Sequence, residues 1–167
     1  MRQIIPSIPL FYLYGVVMGF SAVNPVVDNI VITPAFMPDI SIKDFADAMK
    51  LDGTVTPARM KYALTDSANS VCRELKAWTA NALHQHGSLT LEDYDLTNDT
   101  DKCFSFKKAV YNLAKAQLTE HYRDYDTGKD ATARTKELTP QIDTCYRNAR
   151  NAIADIKDEP HSTIELI

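Results

Sequence analysis

The feature that most constrains this chain is a single apolar stripe in its first half. Thr56 followed by Pro57 is a helix start, with a side chain suited to the N-cap and a proline at the first helical position, where its missing N–H costs nothing. From there Met60, Leu64, Ala68, Val71, Leu75, Trp78 and Ala82 recur in steps of four and three as far as "HQHG", with Gly87 as the stop. This spacing predicts one continuous helix of about 30 residues, roughly 45 Å long. A helix of that length is more than one small domain needs for its own core. Trp78, the only tryptophan, lies on this stripe and reads as a core or subunit-contact residue rather than a ligand platform.

Three further helices are expected around it. Ser41, with Asp44 three residues on, resembles a capping box, and Ile42, Phe45 and Met49 give a short helix ending before Gly53. Another runs from near Lys102 to Tyr125, with Cys103, Phe106, Val110, Leu113, Ala114, Leu118 and Tyr122 on its inward face. The last carries Leu138, Ile142, Cys145, Tyr146, Ala149, Ile153 and Ile156; it starts at Thr139-Pro140, or earlier with a kink at Pro140, and stops before Pro160. The predicted class is all-α, a four-helix bundle with one long helix, an extended N-terminal arm and a C-terminal tail. The chain divides into an apolar arm and linker over 1–40, a helical core over 41–157 and a tail over 158–167. Within the linker, "PVVDNIVITPAFMPDI" has three prolines and no helical period, so it reads as extended chain or one edge strand.

Charge and motif content narrow the function. The net charge is −4, and the densest cationic pair is Lys107-Lys108, so the basic footprint of a nucleic-acid reader is lacking. Cys72, Cys103 and Cys145 stand far apart without CxxC spacing and read as small buried hydrophobes of a reducing compartment. The stretch "SLTLEDYDLTNDTDK" opens like a calcium loop at Asp93-x-Asp95. The glycine and glutamate positions of such a loop hold Asn98 and Phe104 instead, so it reads as a solvated acidic connection whose last members cap the next helix. His84 and His86, two apart on a helix, point to different sides, and His121 and His161 stand alone. No hydrolase, zinc-protease or phosphate-loop motif occurs, and no catalytic residue, metal site or cofactor is expected.

The two ends are strongly apolar. "MRQIIPSIPLFYLYGVVMGFSAV" has the outline of a secretory signal, but Pro6 and Pro9 interrupt it, a single cation precedes it, and it is short for a membrane span, which needs about 20 apolar residues. An arm packed on a neighbouring subunit through Phe11, Tyr12 and Tyr14 is the preferred reading. The alternatives are an exported helical protein with a signal or anchor segment, and a misassigned start codon. At the other end Ile164, Leu166 and Ile167 place three large apolar side chains in the last four positions, with no further chain to cover them. They read as a docking tail for another protein.

Several stretches carry a resemblance: "FMPDI", "DGTVTPARMKYAL", "LTEHYRDYDTG", "IDTCYRNARNAIADIKDEP" and the terminal "STIELI". In this order, from about Val31 onward, they resemble the head completion proteins, the L gene products, of P2-like tailed bacteriophages; the arm over 1–24 does not share the likeness. The resemblance implies a structural, non-enzymatic adaptor of the phage neck. Such proteins assemble as a dodecameric ring beneath the portal after DNA packaging and prepare the head for the next neck component or tail terminator. It implies a virion location, assembly in the host cytoplasm, no membrane, and packaged DNA passing through the ring without tight binding. It also implies portal docking through the C-terminal segment, here Ile164, Leu166 and Ile167.

Overall fold

The computed structural model describes residues 29–161 apart from 52, 54 and 126–130, and the side chains of these residues other than 86, 122–125 and 131–137. Two short strands, β1 (Ile30–Val31) and β2 (Ile40–Ser41), precede six helices among the described residues: α1 (Ile42–Met49), α2 (Pro57–Glu74), α3 (Lys76–His86), α4 (Leu91–Asn98), α5 (Lys102–Tyr125) and α6 (Ala131–Lys157). The all-α class holds. The helix count differs from the expected four for two reasons.

First, the long helix is broken. Leu75 sits between α2 and α3 with φ −84° and ψ −1°, still in the right-handed region but with ψ opened well away from the helical value. Its N–H still reaches Val71 O at 2.9 Å, and Thr79 N–H reaches Leu75 O at 2.8 Å. A change of ψ at one residue interrupts the helix while leaving the step-of-three-and-four pattern intact. The stripe therefore continues across a break that it cannot reveal. Second, the acidic connection contains α4. Thr90 caps it by accepting from Asp93 N–H at 3.1 Å, and Leu91 and Tyr94, one turn apart, are buried.

The starts of the other helices follow their local chemistry. Ser41 accepts from Asp44 N–H at 3.2 Å and Thr56 from Arg59 N–H at 3.4 Å. Helix α6 begins well before Thr139 and passes through Pro140, the second of the two starts considered above.

Helix α5 occupies the centre. Phe106, Ala109, Val110, Tyr111, Ala114, Ala116 and Leu118 are all buried, so more than one face is covered, and its alanines let neighbouring helices come close. Against it lie α2, through Leu64, Ala68 and Val71, and α6, through Ala149, Ala152, Ile153 and Ile156. The segment read as linker contributes to this core as well: Val31, Phe36, Met37 and Ile40 are buried. β1 and β2 pair antiparallel, Ile30 with Ser41 and Val31 with Ile40. The loop between them is closed by Thr33, whose N–H donates to Asp39 Oδ1 at 3.1 Å and whose hydroxyl donates to Met37 O at 2.7 Å. This loop is tied to the start of α4 by Leu91 N–H donating to Phe36 O at 2.7 Å.

Candidate functional site

The best-defined polar arrangement joins four helices at one end of the core. Lys102, the first residue of α5, is buried although it carries a charge. Its ammonium has three protons to place. They meet Asp158 Oδ1 at 2.7 Å, Ile156 O at 2.8 Å and Asp155 O at 3.5 Å. The two carbonyls belong to the last turn of α6, where Asp155 O also accepts from Asp158 N–H at 3.4 Å, and a cation is favoured there by the helix dipole. The same ammonium lies 5.5 Å from the centroid of Trp78. Trp78 is half-buried on α3 and meets Tyr94 of α4 edge-on at 5.4 Å and Phe36 of the hairpin loop at 6.3 Å. Asp95, one residue after Tyr94, caps α5 by accepting from Lys102 N–H at 2.9 Å and Cys103 N–H at 2.8 Å. Burial by itself raises the Asp95 carboxyl. Hydrogen bonds from Cys103, Thr100 and Lys102 outweigh it and hold the group below its ordinary range.

This end is also where the C-terminal tail departs. Asp158 has φ 58°, and Glu159 N–H closes back on Ala154 O at 3.0 Å, which terminates α6. Beyond Pro160, His161 Nε2 meets Asp155 Oδ1 at 2.6 Å. The tail's root is thus held by Lys102 and Asp155, whereas Ile164, Leu166 and Ile167 lie outside the described residues. Phe11, Tyr12 and Tyr14 lie outside them too, as does the signal-like stretch. Trp78 is the one expected contact residue that is described, and its ring packs on this chain's own α4 and hairpin loop.

A second feature is exposed apolar surface. Ile32, Leu89 and Leu96 are 84%, 80% and 85% exposed, and Tyr62 and Phe104 are also open. Leu89 and Leu96 stand in an acidic stretch without an extended apolar period, so the sequence does not mark them as contact residues. With α4 in place, Glu92, Asp93 and Leu96 share its outer face at helical spacing, while Leu89 stands just before the Thr90 cap. A groove of about 620 Å³ runs between the hairpin loop and α4, lined by Ile32, Phe36, Met37, Leu91, Glu92 and Lys107.

The cysteines are free and half-buried. Burial pushes all three thiols up; for Cys103, with hydrogen bonding and repulsion from Asp95 added, the value reaches about 12. They are protonated at neutral pH and poor nucleophiles. Among the described residues no group of three or more His, Cys, Asp or Glu side chains is placed to hold a metal, and no helix is long and apolar enough to cross a membrane.

Comparison with known proteins decides the family. The family model for the phage head completion protein matches residues 31–167. The chain belongs to the phage head completion protein family. It is 29% identical over 147 residues to the "Head completion/stabilization protein" of Escherichia phage P2, an alignment spanning 86% of this chain and 84% of that protein. No solved structure matches. The head completion match begins at Val31, the first buried residue of β1, and runs through Ile164, Leu166 and Ile167, so it takes in the described core and the tail together. The apolar segment before Ile30 lies outside it. The role is a structural one in completing the phage head.

Proposed function

We propose that this head completion protein acts as an adaptor of the phage neck, forming a homo-oligomeric ring, dodecameric in this reading, beneath the portal after DNA is packaged. The ring presents a platform to the next neck component or tail terminator. It does so without catalysis, within the virion, after assembly in the host cytoplasm. The observation that carries this reading is the family match from the first core strand to the last residue. A head-to-tail ring needs two unlike faces on each subunit and a third for the portal. Exposed aliphatic residues on α4 and at β1 supply candidate surface, and the arm residues Phe11, Tyr12 and Tyr14 add to the contact with a neighbour. Trp78 serves that contact by fixing α3 against α4.

The tail is the portal anchor in this reading, and magnitudes say why it acts collectively. Burying Ile164, Leu166 and Ile167 contributes roughly 1.5–3 kcal/mol each. Ordering about five backbone residues costs on the order of 1–2 kcal/mol apiece. One tail therefore comes close to break-even, while a ring that offers many at once gains through effective concentration. The anchoring at Lys102 and Asp155 shortens the stretch that must be ordered.

The test is co-sedimentation of the full-length chain, and of a form ending at Pro160, with portal rings of the same phage, reading the mass of what assembles. A stoichiometric ring added only by the full-length chain supports the adaptor and its anchor. A full-length chain that stays monomeric and unbound removes the adaptor reading. Equal binding by both forms would give the tail another task.

A further inference from the structure

Two surfaces on this chain are unlike and complementary. The outer face of α4 carries Leu96 as a protruding aliphatic, with the exposed Glu92 and Asp93 one turn before it, and the helix closes on Asp99 in the left-handed conformation. An exposed leucine with two carboxylates on one side suits a partner surface that offers a recess bordered by cations. Such a recess lies where α2 meets the start of α3 and the hairpin loop, a shallow groove of about 480 Å³ lined by Pro34, Asp66, Asn69, Cys72, Arg73 and Lys76, in which the carboxylate of Asp66 is already engaged by Gln117 Nε2 at 2.8 Å. Arg73 and Lys76 are exposed at its edge, and Cys72 stands half-buried among its lining residues. The two surfaces meet the hairpin loop at different points: the α2 groove at Pro34, the groove beside α4 at Ile32, Thr33 and residues 35–39.

From this pairing we infer that α4 of one copy docks in the α2 groove of the next, Leu96 entering the recess and Glu92 and Asp93 facing Arg73 and Lys76. The occupant is a second copy of this chain, chosen on charge complementarity and on the match of one protruding side chain to one recess. The contact is heterologous, since α4 and α2 are different surfaces, so it propagates around a ring instead of closing as a two-fold dimer. Like charge keeps two α4 faces apart and disfavours that alternative. The inference rests on the self-association proposed above and specifies which faces make it.

Leu96→Cys tests it through a thiol that the protein already has. The contact places the new thiol in one copy beside Cys72 of the next. Oxidation of the full-length Leu96→Cys protein, assembled with portal rings, in alkaline buffer that raises the thiolate fraction of Cys72 is expected to give a ladder of linked oligomers in non-reducing gels. Adding Cys72→Ser is expected to abolish the ladder, and adding Cys145→Ser to leave it. Glu92→Lys with Asp93→Lys should reduce assembly at least tenfold, as should Arg73→Glu with Lys76→Glu, and all four together should restore it. Circular dichroism of each variant checks that helices are retained. If the native chain assembles but no ladder dependent on Cys72 forms and the four-fold exchange restores nothing, the pairing of faces is overturned while the adaptor stands. If the native chain does not assemble at all, the adaptor reading and this contact both fall.

Discussion

Lys102 shows how one residue can hold several elements at once. Its ammonium satisfies carbonyls of α6, pairs with Asp158 and lies over Trp78, while its own N–H is capped by Asp95. Hydrogen bonds from a charged donor contribute about 1.5–3 kcal/mol, and a buried acceptor left without its partner costs about 1–3. Lys102→Met, which keeps the stem and removes the charge, is therefore expected to destabilise the fold by about 2–3 kcal/mol in urea denaturation; a loss below about 0.5 would mean that the α6 carbonyls find other donors. Asp95 adds a pH dependence. Its carboxyl titrates lower in the folded state than in the unfolded chain, where the value is about 3.9. The stability it contributes is thus present above that value and is lost as pH falls through the lower folded one. Asp95→Ala should cost about 1–2 kcal/mol at pH 7, the usual range for a lost cap. The gap from the parent should narrow as pH falls through the folded value, and a gap that stays constant throughout the acid titration would show that the cap does not depend on charge.

At the scale of elements, helix starts and helix ends differ in how far they can be read. Ser41 and Thr56 act on N–H groups only three residues away, so both starts were legible, as was Gly87, which ends α3 with φ 61°. Three other helices close on non-glycine residues at positive φ: Lys50 after α1, Asp99 after α4 and Asp158 after α6. A search for glycine passes over them. Leu51 N–H bonding Ala46 O at 3.1 Å, with Lys50 N–H on Asp47 O at 3.4 Å, shows a complete closing motif at the first. Lysine gains nothing locally from that conformation, which disfavours residues with a Cβ by roughly 1–2 kcal/mol. Lys50→Gly should therefore raise stability by about 0.5–1 kcal/mol after the extra unfolded-state freedom of glycine is subtracted, visible as a higher thermal midpoint. A lowered midpoint would mean that the Lys50 side chain holds the turn. Helix α4 was missed for a different reason. Its eight residues are too few to be stable alone, and it depends on burying Leu91 and Tyr94 against residues distant in sequence.

For the whole molecule, the charge of −4 and the scattered cations bear on the proposed passage of DNA. A ring that must let a duplex slide should release few counterions on contact, so binding should be weak and steeply salt-dependent. A gel-shift titration of the assembled protein with duplex DNA is expected to show no retained complex at about 200 mM salt; a complex that persists there would contradict a passive lumen. The sequence by itself determined the all-α class, the bounds Lys102–Tyr125 of α5, the caps at Ser41 and Thr56, and, through stretches kept in order, the family. These rest on periodicity and on contacts within a turn, which neighbouring residues dictate. The tertiary structure decided the break at Leu75, the existence of α4, the burial of Phe36 and Met37 in what reads as linker, and the bond between Lys102 and Ile156, 54 residues apart. Each depends on which surfaces meet once the helices pack, and a local pattern carries no record of its distant partner.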